Sequence, residues 1–144
     1  MKPQLLALVT AMAWGIGGYF EKRGLHLGDL SPQVGITIRT AVALVILGSV
    51  SFPQWKTISQ AGPRALVMMV MGGGVLAGAV GMLSFYAALK GADSLTQVMP
   101  IAFTSPLFSA LVGLVFRTEK LSWQTVLGMA LTLSGIAVLT TAKR

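Results

Sequence analysis

Five stretches of this sequence are almost free of charge and long enough to cross a bilayer, and nothing else in it restricts the fold as much. A helix needs roughly 20 mostly apolar residues to span a ~30 Å hydrocarbon core at 1.5 Å per residue. The stretches cover about residues 4–20, 33–52, 64–89, 94–116 and 122–141. Charge or proline marks their borders. Glu21-Lys22-Arg23 follows the first, Ser31-Pro32 and Pro53 bracket the second, and Gly62-Pro63 opens the third. Lys90-Gly91-Ala92-Asp93 separates the third from the fourth, a link short enough to force an antiparallel pair, and Arg117-Thr118-Glu119-Lys120 precedes the fifth. No stretch alternates strictly with period two, as a lipid-facing barrel strand does. Each backbone amide in lipid must be bonded within its own segment, which leaves helices. The expectation is an all-α membrane protein, a bundle of five transmembrane helices forming one domain over residues 1–144, with its termini on opposite sides of the membrane.

Composition agrees. The chain is 54% hydrophobic and 10% charged, where soluble domains carry about a quarter charged residues. In water so few polar groups would leave large apolar patches uncovered. The net charge of +7 comes from lysines and arginines placed in ones and twos at the borders of apolar runs. That placement suits lipid headgroups, not a nucleic-acid face. Cysteine is absent, and His26 is the single histidine, flanked by Leu25 and Leu27. A metal site needs three or four convergent ligands, so none is expected. Lys2, the run 5–9 and Ala11-Met12-Ala13 loosely resemble a secretion signal, but the apolar run continues through Trp14, Ile16, Tyr19 and Phe20, which reads as an uncleaved first span. With a cytoplasmic amino terminus, Lys2, Lys56, Arg64, Arg117 and Lys120 lie inside and Lys22, Arg23, Lys90, Lys143 and Arg144 outside. This tie permits insertion in both orientations.

Several residues stand out against the apolar background. Pro100 and Pro106 in the fourth stretch cannot donate an amide hydrogen and are expected to free the carbonyls of Thr96 and Ala102. Broken helices of this kind line transporter sites, with Gln97, Thr104 and Ser105 as nearby polar groups; a kink that only shapes packing is the other reading. Gly72-Gly73-Gly74, Gly78 and Gly81 weaken the third helix and give room for a neighbour's backbone. Ser84, Phe85 and Tyr86 follow, Tyr86 as a cavity residue or an interfacial anchor. Gly128, Thr132 and Gly135 form a small-residue stripe on the fifth helix, a candidate contact for a second subunit. Arg39 is the one clear charge inside a span, about seven residues from its start and so ~10 Å deep. It snorkels, faces a polar cavity, or pairs with Glu21. Glu21, Asp93 and Glu119 fall at segment ends and Asp29 in a loop, so no carboxylate is expected mid-span to carry protons. No paired carboxylates, nucleophile–base set or phosphate loop is present, so an enzyme is not expected, nor a cofactor.

From Tyr86-Ala87-Ala88-Leu89 through Pro100, Pro106, Glu119-Lys120-Leu121-Ser122, Gln124, Gly128 and Gly135-Ile136-Ala137, the chain resembles the carboxyl-terminal part of the EamA domain of the drug/metabolite transporter superfamily. Trp14-Gly15 and Arg39 match that domain's opening pattern. Full-length members carry two such domains, inverted relative to each other, in ten helices around a central pathway. The resemblance therefore implies half a transporter and a partner, either a second copy in an antiparallel homodimer or a related short protein in a heterodimer. It implies a plasma-membrane protein of a bacterium or archaeon that exports or imports amino acids, other metabolites or drugs by alternating access. The pathway would use Trp14, Arg39, Tyr86, Gln97, Pro100 and Thr104, and the dimer contact Gly128, Thr132 and Gly135. Two other readings remain: a subunit of an undecaprenyl-linked sugar flippase, and a membrane scaffold that transports nothing.

Overall fold

The computed structural model describes residues 2–118 and 122–141, all helices and connecting turns. Glu119, Lys120 and Leu121 of the fourth-to-fifth link, and the terminal Lys143 and Arg144, lie outside the described residues. The helices are α1 (Pro3–Leu27), α2 (Pro32–Ser51), α3 (Lys56–Gln60), α4 (Gly62–Met68), α5 (Met82–Gly91), α6 (Leu95–Ala102), α7 (Ser105–Val115) and α8 (Trp123–Thr141). A 3-10 turn, Phe52–Gln54, closes α2, and a π-helical segment, Met69–Gly81, joins α4 to α5. Four stretches are long and apolar enough to cross a membrane: Pro32–Gln54, Gly62–Gly91, Leu95–Val115 and Trp123–Thr141. Five were expected. The first stretch is helical but less apolar, and α1 does not stop at Phe20; it runs through Glu21, Lys22 and Arg23 to Leu27.

The chain forms two compact units, Met1–Gly91 and Ala92–Arg144. In the first, α1, α2 and α5 pack on one another. The buried hydrophobic side chains Leu25, Ile36, Tyr86 and Leu89 gather where the end of α1, the start of α2 and the end of α5 meet. Local chemistry builds this end. Asp29 takes a left-handed conformation (φ 43°), letting the Leu30 and Asp29 amides donate to the Leu25 and His26 carbonyls at 3.0 and 3.3 Å and so close α1. The Ser31 hydroxyl then accepts from the Val34 amide at 3.3 Å, with Pro32 in the first turn of α2.

Gly35 lets α2 approach. A Cβ there would lie 2.5 Å from the Leu25 side chain and 3.0 Å from the Tyr86 ring. The close contact expected at Gly72 and Gly73 is not found, since nothing lies within 4 Å of a Cβ at either. Those glycines act on their own helix instead. A Cβ on Gly78 would meet the Gly73 carbonyl oxygen at 2.9 Å, so the wide turns there depend on its absence.

In the second unit α8 packs on α6. Arg117 (φ 54°) ends α7 as Asp29 ends α1, with the Thr118 amide donating to the Gly113 carbonyl at 2.9 Å.

Two outcomes follow. Gly35→Ala overpacks the Leu25–Tyr86 contact and lowers stability by about 1–3 kcal/mol, read as a drop in Tm in detergent; an unchanged Tm would contradict the close approach. Lys90 Nζ donates to Asp29 Oδ1 at 2.8 Å, and the ammonium beside it holds the Asp29 carboxyl below its usual value of 3.8. A lowered folded value means that this stabilisation is present above pH 3.8 and lost as pH falls below it. An acid-unfolding titration of Asp29→Asn shows a shallower loss in that window.

Candidate functional site

Three features of the first unit converge on α2. Arg39 Nε lies 2.9 Å from Glu21 Oε1, with the Tyr86 hydroxyl beside the same carboxylate. The depths match because α1 and α2 run antiparallel through a short turn. Glu21 is six residues before the end of α1 and Arg39 seven after the start of α2, so both lie ~10 Å along their helices from the turn. Arg39 is thus paired with Glu21, and Tyr86 is a buried residue of this cluster.

Below the pair, Lys90 Nζ also donates to the Leu25 carbonyl at 3.2 Å, fastening α5 to the end of α1. Alongside α2 runs a cavity of about 530 Å³, lined by Gln33, Thr37, Thr40 and Leu44 of α2 and by Gly78, Ala79 and Leu83. That volume suits a small molecule. Its polar wall consists of one amide and two hydroxyls. The Thr37 hydroxyl is already bonded to the Gln33 carbonyl at 2.8 Å, so it can accept but has no hydrogen to spare. Ile36 is both a core residue and a wall of this cavity.

Sequence reasoning overlooked Gln33, Thr37 and Thr40. The usable signal was their spacing: residues 33, 37, 40 and 44 fall on one face of a helix and are polar at three of the four positions. Trp14 lies seven residues before Glu21, two turns along the same side of α1, and is exposed.

In the second unit the break is real, but its cause differs from the expectation. Pro100 is inside α6, whereas Pro106 sits in the first turn of α7, where a missing amide hydrogen removes no helical bond. Helix α6 stops at Ala102, and the Phe103 and Thr104 amides donate to Met99 and Ile101 at 3.0 Å each. The Thr104 hydroxyl adds a 2.7 Å bond to the Ile101 carbonyl. Behind this break is a cavity of about 260 Å³ lined by Phe103, Thr104, Pro106 and Leu107 and by Thr125, Gly128, Met129 and Thr132 of α8. Thr104 therefore meets Gly128 and Thr132 across a cavity wall; Gln97, Pro100 and Gly135 are not part of that lining.

Apolar helices of spanning length define an integral membrane protein, with a broken helix and cavities edged by amide and hydroxyl groups among them. The chain matches the EamA-like transporter family over residues 1–141 and belongs to it. It is similar to a Sinorhizobium protein named uncharacterized transporter in cobO 3'region, with 28% identity over 138 residues and 94% of each chain covered. No solved structure matches it.

If the Glu21–Arg39 pair holds α1 to α2, a double-mutant cycle with Glu21→Gln and Arg39→Gln gives a coupling energy of about 1 kcal/mol or more in thermal or denaturant unfolding. A coupling near zero, as for exposed surface pairs, would show that the contact contributes nothing.

Proposed function

We propose that this chain is a transporter subunit that moves small metabolites, amino acids or drugs across the membrane by alternating access, working as an antiparallel dimer. The observation that carries the reading is the 530 Å³ cavity beside α2, a mostly apolar, open pocket with one amide and two hydroxyls on its edge, walled by two stretches of spanning length. A scaffold that binds no solute needs no such pocket between its helices, and the Gln33 amide and the Thr40 hydroxyl give a solute polar groups to meet there.

In this reading α1 is the fifth span and residues 1–144 form one domain. Arg39, Tyr86 and Trp14 serve the pathway in the first unit, and Gln97, Pro100 and Thr104 serve it in the second. Gly128 and Thr132 line the chain's own cavity, while helix α8 contributes no buried residue and nothing lies within 4 Å of a Cβ at Gly135, which supports the Gly135 end of the Gly128–Thr132–Gly135 stripe as the contact with a second subunit. The balanced distribution of basic residues supports opposed orientations.

Purified protein in liposomes, offered labelled amino acids, neutral metabolites and cationic dyes, is the test. At least one class moves faster than in empty vesicles, and Gln33→Ala slows it by about fivefold, the loss of one hydrogen bond of about 1 kcal/mol. If no solute moves and none raises the Tm, the transporter reading fails.

A further inference from the structure

We propose that the cavity beside α2 selects an uncharged, mostly apolar solute with a hydrogen-bonding group at one end, and that it turns away zwitterions such as free amino acids as well as permanent cations. This rests on the transporter reading and deepens it by naming the substrate class. Charge is absent from the wall. Among the described residues none that lines the cavity is ionisable. Arg39 is on the same helix, but at 3.6 residues per turn it lies about 130° round α2 from the middle of the lining positions, and it is paired with Glu21. Lys90 is held by Asp29, and Lys56 and Arg64 come after α2 has ended. A carboxylate or ammonium that left water for this wall would meet no opposite charge, which strongly disfavours its burial. A zwitterion brings two such groups.

The polar groups that are present gather toward one end. Gln33 is the second residue of α2, Thr37 and Thr40 follow one and two turns deeper, and Leu44 lies about 16 Å beyond Gln33 by helical rise. The other wall, Gly78, Ala79 and Leu83, has no polar side chain. A solute with a polar head and an apolar body therefore fits this gradient in one orientation, its head toward the start of α2. The volume of about 530 Å³ accepts a drug-sized body.

The hydroxyls narrow the head further. Thr37 gives its hydrogen to the Gln33 carbonyl and can only accept from a solute, whereas the Gln33 amide and the Thr40 hydroxyl can both donate and accept. A hydroxyl or carboxamide head, itself donor and acceptor, suits all three; an ether or ester has no hydrogen to offer Thr37. The smaller cavity of the second unit, taken by itself, has the same character. No ionisable residue lines it among the described residues, and its Thr104 and Thr132 hydroxyls donate to the Ile101 and Gly128 carbonyls.

The test is equilibrium binding to the full chain in lipid nanodiscs, with probes that share one biphenyl body. Phenylphenol and biphenylcarboxamide carry neutral heads, biphenylcarboxylate, biphenylmethylammonium and biphenylalanine carry charged ones, and biphenyl carries none. Each value is corrected for the probe's partition into protein-free discs. The neutral heads bind about tenfold or more tightly than the charged ones, as burial of an unpaired charge requires, and about fivefold more tightly than biphenyl, the worth of a hydrogen bond. Gln33→Leu combined with Thr40→Val brings phenylphenol down to the level of biphenyl. Ala41→Leu and Ala79→Leu fill the slot from its two walls, and either one abolishes binding, with Tm read alongside to show that the chain is folded. A charged probe that binds as tightly as phenylphenol, binding that survives both filling variants, or a head-group preference that survives loss of Gln33 and Thr40 would overturn the proposal. Flux in liposomes is measured separately. Binding of neutral probes without flux of any solute sinks the transporter reading and leaves the site, while flux of an amino acid or a cation that Ala41→Leu blocks keeps the transporter reading and overturns the substrate class.

Discussion

In hydrocarbon no water is available to satisfy a peptide group, and this requirement shapes each irregularity in the chain. Hydroxyls inside the helices turn back on the carbonyl one turn earlier, as Ser49 does to Val45, Ser84 to Val80 and Ser134 to Ala130, each within 2.8–2.9 Å. Where α6 ends, the Thr104 hydroxyl and two amides take up carbonyls that the break would orphan. Where glycines make an α-helix weak, the backbone widens into π turns but keeps every bond inside the segment. Among the described residues no buried polar side-chain atom lacks a partner.

Against that background α2 links the packed end to the cavity. Its first turn is capped by Ser31, its second is bare at Gly35 so that Leu25 and Tyr86 can close on it, and its third carries Arg39 toward Glu21. The Gln33–Thr37–Thr40 edge of the same helix forms the cavity wall. A change in how α2 sits against α1 therefore alters the pocket without any intermediary. The second unit holds its own broken helix and smaller cavity, built from the break between α6 and α7 and a face of α8 with Thr125 and Thr132 instead of from charge.

Much of this was legible from residue type alone. Ser31-Pro32 and Gly62-Pro63 mark helix starts because capping and a fixed φ are local properties, and Pro53 marks an end for the same reason. The pairing of Arg39 with Glu21 could be foreseen as one of three alternatives, because a charge in a span needs a partner. The rest depended on tertiary context. Glu21-Lys22-Arg23 looks like a boundary, yet long side chains near a helix end reach outward while the backbone continues, so α1 is longer than its apolar run. Pro106 looks like an interior breaker until the helix before it is seen to stop. Gly35 carries no periodic signal, since its importance lies in what two other helices place against it.

The π-helical segment has a mechanical consequence. Gly62–Gly91 holds 30 residues, which as an ideal α-helix would reach about 45 Å, well beyond a ~30 Å core. Turns bonded five residues apart pack more residues into each ångström of axis, so the glycine run takes up slack that tilt or bilayer thickening would otherwise absorb. Rewinding even one wide turn lengthens the rod and pushes α5, with Tyr86 and Lys90 on it, along the membrane normal. The thickness of the surrounding lipid thus bears directly on the end of the molecule where its charges are paired.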